Sequence, residues 1–232
     1  MEGARVQVAI LCGGLALRMR PLSERVPKSL FPVAGRPFID WQLAALVRGG
    51  ATEVLLLTGH MGDAIAAHVG DGTRQGLRVT YSHEGAQTVG TGGALRLAAQ
   101  RGLLGPRFVV QYGDSYLELD YRALCATPGD AVMTVWRNQG RLEPSNCVVA
   151  GGRVVRFEKA SQKPEVLWID YGASALDRGL VENAPRDLDQ LFALLAAEGR
   201  LHAFEVDERF YEVGSQKGLA ELEALLGGRG QP

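Results

Sequence analysis

Apolar residues in the first half of the chain fall in short unbroken runs separated by amphipathic stretches. Residues 5–11 (RVQVAIL), 53–58 (EVLLLT), 77–82 and 107–112 (RFVVQY) are such runs. Runs of this length bounded by turn residues predict strands covered on both faces. A helical pattern opens at Pro37, with Phe38, Trp41, Ala45 and Ala44 on one face, and stops at Gly49-Gly50. Further helices are expected near 63–69 and over 91–100, the latter opened by glycines. Strand and helix alternate regularly, which predicts an α/β fold of three layers: a central, mostly parallel sheet with helices on both faces. The second half is less regular. Strands are expected over 131–136, 147–150, 154–157, 168–174 and 201–206, and helices over 187–198 and 215–226. No internal repeat or linker interrupts the pattern, so residues 1–232 read as a single domain.

Composition narrows the classes. A hydrophobic content of 46% and a charged content of 22% are those of a globular chain with a substantial core. The net charge of -1 offers no field for nucleic acid or an anionic membrane, so neither is expected as a partner. Cys12, Cys125 and Cys147 are odd in number and widely spaced, with neither zinc-ligand spacing nor a disulfide framework. The N-terminal MEGARVQVAIL does not read as a signal peptide, and no run is long enough to span a bilayer. A cytoplasmic protein is expected, as a monomer or a homodimer. Four of the 25 basic residues are lysines: Lys28, Lys159, Lys163 and Lys217. That scarcity draws attention to each of them, because lysine and arginine are not equivalent at a phosphate.

Candidate chemistry concentrates in LCGGLALRMRPLSERVPKSLFPVAGRP, residues 11–37. Glycines just after a buried strand let backbone N–H groups approach phosphate oxygens, and Arg18 and Lys28 add positive charge to the same loop. The segment is not a Walker A loop, which requires GxxxxGK followed by Ser or Thr. Gly90-Thr91-Gly92-Gly93-Ala94 forms a second glycine-rich strand-to-helix turn, with Glu84 and Gln87 nearby. Tyr112-Gly113-Asp114 closes a strand where open α/β sheets place ligands. The histidines His60, His68, His83 and His202 form no constellation, and Cys12 reads as small packing at the loop.

Gly13-Gly14, Arg18, Pro27-Lys28 and Pro32-Val33-Ala34-Gly35-Arg36-Pro37 together resemble the signature of the sugar-phosphate nucleotidyltransferases. The resemblance runs through nearly the whole chain, with motifs in the family's order, and implies a Rossmann-like fold. It implies catalytic roles for Arg18 and Lys28, and nucleotide contacts from Leu11, Gly13, Gly14, Gln87, Gly90 and Thr91. It further implies contacts to the sugar phosphate from Glu158, Lys159, Asp170 and Gly172. Mg²⁺ is the implied cofactor, held by Asp114 and Glu212. The implied substrates are a nucleoside triphosphate and a sugar 1-phosphate, with pyrophosphate released. Two positions depart from the pattern. Leu17 replaces a residue that often carries a hydroxyl, and Glu212 stands where aspartate is usual. Gly113-Asp114-Ser115-Tyr116 and the short chain resemble heptose 1-phosphate guanylyltransferases, and muramic acid 1-phosphate uridylyltransferases are similarly compact. A cytidylyltransferase acting on a phosphorylated alcohol is the same-chemistry alternative. A nucleotide-sensing domain without turnover is the alternative of another class.

Overall fold

The computed structural model of the chain describes residues 5–14, 19–85, 88–159 and 163–228. In chain order, β1 (Gln7–Leu11) leads into a loop carrying 3-10 turns at Leu22–Glu24 and Lys28–Leu30, then the short ribbon β2 (Pro32–Val33) and β3 (Arg36–Pro37). There follow α1 (Phe38–Arg48), β4 (Glu53–Thr58), α2 (Gly62–Val69), β5 (Arg78–His83), α3 (Thr91–Gln100), β6 (Arg107–Tyr112) and β7 (Ser115–Tyr116). The second half comprises α4 (Tyr121–Ala126), β8 (Ala131–Trp136), β9 (Cys147–Ala150), β10 (Arg153–Phe157), β11 (Ile169–Asp177), α5 (Leu188–Ala197), β12 (Leu201–Val206), β13 (Tyr211–Glu212) and α6 (Gln216–Gly227).

Nine strands form one sheet in the order β5-β4-β1-β6-β11-β8-β12-β10-β9. The first four are parallel neighbours, as the alternating pattern predicts. β11 and β10 run against the rest, so the mostly parallel sheet is mixed in its second half. Strand direction is a property of the connections, and apolar periodicity does not encode it.

The period of two along each strand sorts the core into layers. Val8, Ile10, Val54, Leu56 and Val109 face α1, α2 and α4. Their sequence neighbours Ala9, Leu55, Leu57, Phe108 and Val110 face α3 and α5. Each fully buried Leu, Val or Phe contributes about 1.5–3 kcal/mol relative to exposure. α6 covers the outer side of α1 through Leu222 and Leu226 against Phe38, Trp41 and Ala45. Helix α4 is absent from the sequence expectations because six residues are too few to show a helical period, although Asp120 caps it by accepting from Ala123 N–H at 2.9 Å.

β1 is the position at which the chain changes direction across the sheet: α1 follows it on one face and α3 precedes β6 on the other. The register sets Leu11 level with Leu57 of β4 and Tyr112 of β6. Their carboxyl ends therefore open one crevice at the topological switch point, where α/β sheets bind ligands.

Candidate active site

The crevice is a cleft of about 630 Å³ lined by Leu11, Leu57 and Tyr112 at its floor and by Gly13, Gly14, Lys28, Glu84, Gly90, Thr91, Asp114 and Gly214 around it. Arg18 of the expected catalytic pair and Gln87 of the expected nucleotide set lie outside the described residues.

The first wall is the turn after β1. Cys12 N–H extends the strand pairing to the Leu57 carbonyl at 2.8 Å, and the chain then leaves the sheet at Gly13. A Cβ on Gly13 would lie 1.8 Å from Glu84 Oε1, so only glycine lets this turn and the Glu84 carboxylate share the space. Cys12 is buried, and desolvation pushes its thiol up to about 12 against the lowering effect of the Ser29 hydroxyl. It is a protonated packing group, as its position after β1 suggested.

Lys28 opens the 3-10 turn Lys28–Leu30, which is fastened by Leu30 N–H to the Pro27 carbonyl and anchored by buried Ser29 and Phe31. Its Nζ lies 3.0 Å from Asp114 Oδ2. The third corner comes from far along the chain. β13 pairs with β7, setting Glu212 opposite Ser115, and Val213 N–H donates to the Asp114 carbonyl at 2.9 Å. A Cβ on Gly214 would lie 2.6 Å from Glu212 Oε2, 3.1 Å from Asp114 Oδ2 and 3.3 Å from Lys28 Nζ. Gly214 is thus the gap around which both carboxylates and the ammonium meet. The longer arm of Glu212 turns back on its own loop: its carboxylate accepts from Gly214 N–H and, at 2.5 Å, from the Ser215 hydroxyl.

A second wall is the glycine-rich turn before α3. Gly90 and Thr91 line the cleft. The next N–H groups, of Gly92 and Gly93, both donate to the Arg186 carbonyl at 2.9 and 3.0 Å, so they are committed to the fold. Thr91 Oγ1 accepts from Leu188 N–H at 2.8 Å, tying the turn to the start of α5. Glu84 closes this wall by accepting from Val89 N–H at 2.9 Å.

The four residues expected at the sugar phosphate are not among the cleft-lining residues. Tyr112 stands between Asp170 and the cleft, and its hydroxyl is bonded to the Asp170 carboxylate. Desolvation pushes the Asp170 carboxyl up to about 7, held back by Gly172 N–H (2.9 Å) and the Tyr112 hydroxyl and raised further by Asp189. Gly172 packs beneath Ser115. Glu158 is paired with Arg156 and Lys163, and Lys159 Nζ lies 2.5 Å from Asp189 Oδ2. Asp189 follows Leu188, the residue bonded to Thr91, so this pair stands one step outside the cleft. Sequence reasoning missed Asp189 because an acidic residue in the first turn of a helix reads as a response to the helix dipole.

Among the described residues, no three His, Cys, Asp or Glu side chains gather as a metal site. The two carboxylates that do meet suit Mg²⁺, which takes one or two carboxylates and completes its shell with water and substrate phosphate. Lys28 is the sole basic side chain among the described lining residues, beside Asp114 and Glu84.

Residues 7–166 match the nucleotidyl transferase family, and the chain belongs to it. Among named relatives, the chain is 26% identical to mannose-1-phosphate guanyltransferase beta-B of Xenopus laevis over 91% of its own length. The match spans 62% of the Xenopus protein. It is 36% identical to N-acetylmuramate alpha-1-phosphate uridylyltransferase of Neisseria meningitidis over 53% of this chain and 52% of that one. HddC of Yersinia pseudotuberculosis, crystallised with GMP-PN, shares the fold with a TM-score of 0.79 at 24% identity, covering 95% of this chain and 99% of the other. No described helix is long and apolar enough to cross a membrane.

Proposed function

We propose that the protein transfers a nucleoside monophosphate from a nucleoside triphosphate to a sugar 1-phosphate, releasing pyrophosphate. The observation that carries this reading is the meeting of Lys28, Asp114 and Glu212 around Gly214 at the mouth of a cleft formed by parallel strand ends. An oxygen of the sugar phosphate attacks the α-phosphorus, the bond to the bridging oxygen breaks, and that oxygen leaves on pyrophosphate. The nucleophile is already anionic, so a general base is unnecessary. This suits a cleft whose described lining contains no histidine.

Catalysis then rests on holding the reactants in line and neutralising charge. Gly13, Gly14 and Arg18 embrace the triphosphate, Lys28 turns from Asp114 to the phosphate, and Lys159 exchanges Asp189 for the sugar phosphate. Asp114 and Glu212 would hold Mg²⁺, whose charge would add to the neutralisation by Arg18 and Lys28. Leu11, Gly90, Thr91 and Gln87 surround the base and ribose, and Glu158, Asp170 and Gly172 shape the acceptor end. The unpaired thiols suit a reducing cytoplasm.

Guanine is the proposed base. Glu84 presents a carboxylate to the cleft, and guanine offers two adjacent donors, N1–H and the N2 amino group, to such an acceptor. Uracil and thymine present one N–H between two carbonyls, which a carboxylate repels.

Pyrophosphate release across ATP, GTP, CTP, UTP and dTTP, with Mg²⁺ and a panel of sugar 1-phosphates, tests both parts. Release requiring GTP and one sugar phosphate is expected. Glu84→Gln should lower the preference for GTP over UTP by about tenfold, the worth of roughly one charged hydrogen bond. Release with UTP alone in the unaltered protein would overturn the guanine assignment. Nucleotide binding without turnover on any acceptor, phosphorylated alcohols included, would overturn the transfer reaction.

A further inference from the structure

Behind Asp114 lies a polar cluster in an otherwise apolar layer. The Ser115 carbonyl accepts from two side-chain amides, Gln42 Nε2 of α1 at 2.8 Å and Gln111 Nε2 of β6 at 3.2 Å. Tyr121 of α4 donates its hydroxyl to Gln111 Oε1 at 2.6 Å, which fixes which end of the Gln111 amide faces Ser115. Gln42 and Gln111 are 1% exposed and Tyr121 is fully buried. Two elements, α1 and β6, thus converge on one backbone carbonyl, and α4 buttresses the second through Tyr121.

Stability alone does not account for this arrangement. Polar groups in an apolar layer are costly unless fully satisfied, and Gln42 Oε1 has no partner among the described residues. Apolar side chains of similar volume would fill the same space without that penalty. A polar cluster retained at such cost is expected where function demands a fixed geometry.

The carbonyl it grips is one residue beyond Asp114. Ser115 is also the ladder partner of Glu212 in the β7–β13 ribbon, and the Asp114 carbonyl accepts from Val213 N–H. Fixing Ser115 therefore fixes the backbone of both carboxylates that meet at Gly214. We infer that Gln42, Gln111 and Tyr121 are positioning residues that hold Asp114 and Glu212 for a divalent cation. The inference rests on the cation assignment made under the proposed function, and on no particular base or sugar.

The test uses the full chain with Gln42→Met and Tyr121→Phe, each of which removes a hydrogen bond while nearly preserving volume. Mn²⁺ bound to the protein–GTP complex is titrated by electron paramagnetic resonance, and GTP binding is measured separately in EDTA. Both variants should raise the half-saturating Mn²⁺ concentration about tenfold, the usual scale for groups that orient metal ligands. GTP affinity in EDTA should change by less than about twofold. A merely structural role would lower the melting temperature and leave the Mn²⁺ titration unmoved, and that result would overturn the inference. An equal loss of GTP affinity in EDTA would overturn it as well. Should Gln42→Met fail to fold, Tyr121→Phe, which deletes one oxygen, decides the matter alone. The readout needs no turnover. A protein that binds Mn²⁺ through Asp114 yet transfers nothing would therefore sink the proposed reaction while leaving the positioning network to stand or fall on its own titration.

Discussion

The two ends of the proposed site are built differently. At the phosphate end, Lys28 has 20% of its side chain exposed and sits on a turn anchored by buried residues, 3.0 Å from Asp114 on the end of a central strand. At the end proposed for the acceptor, Lys159 has 81% of its side chain exposed and is paired with Asp189, while Glu158, Lys163 and Arg156 share ion pairs on the surface. Exposed pairs of this kind contribute about 0–1 kcal/mol, so they exchange partners readily. A geometry that must be right for every turnover belongs on rigid elements with supported side chains. The end proposed for the triphosphate answers that requirement, whereas the end proposed for the acceptor is a surface that can be respecified without disturbing the core.

The sharpest way to break this comparison is at the phosphate end. Asp114→Ala should abolish Mg²⁺-dependent pyrophosphate release while the far-ultraviolet circular dichroism stays unchanged. Lys28→Ala should lower kcat by about 10²–10³, the scale for loss of one group that neutralises charge in the transition state. Neither residue belongs to the apolar layers, so the melting temperature should hardly move. A wild-type rate from either variant would remove that residue from the proposed mechanism.

A smaller and more selective effect is expected at the acceptor end. Lys159→Met should raise KM for the sugar phosphate about tenfold, the loss of a single charged hydrogen bond, with KM for GTP unchanged. Steady-state kinetics with each substrate varied in turn separates the two. If KM for GTP rose equally, the division of the proposed site into two ends would be wrong.

What was legible in the sequence follows the same division. Lys28 and Asp114 could be picked out because each lies in a contiguous motif whose residues act within a few positions of one another. The strands behind them were legible for a similar reason: 53–58, 107–112 and 131–136 are apolar runs whose burial is written into their own composition. Long-range commitments were not legible. That Arg186 would take the N–H groups of Gly92 and Gly93 depends on contact across more than 90 residues of chain, and that Asp189 would hold Lys159 depends on α5 meeting the end of β10. Gln42 and Gln111 left a faint trace, as polar residues at positions where the pattern called for apolar ones. Their common target, the Ser115 carbonyl, is a backbone atom and carries no signature in sequence. The folding-back of Glu212 onto Ser215 is likewise a rotamer choice made by its neighbours.

Asp170 gives the smallest effect and separates architecture from catalysis most cleanly. Its carboxyl is raised from 3.8 to about 7, chiefly by desolvation. The folded protein therefore binds this proton more tightly than the unfolded chain does. The resulting stability is fully present below about pH 4 and is lost as pH rises towards 7, because the folded state must then carry an enclosed charge. Asp170→Asn keeps an oxygen to accept from Gly172 N–H but cannot ionise. The variant should melt a few degrees higher than the natural protein at pH 8, on the order of 2–4 °C per kcal/mol for a chain of this size, and the two should converge near pH 4. Differential scanning calorimetry across that range is the check. A gap that stays constant with pH would show that Asp170 does not titrate there, and that Tyr112 screens the cleft from a carboxylate already charged.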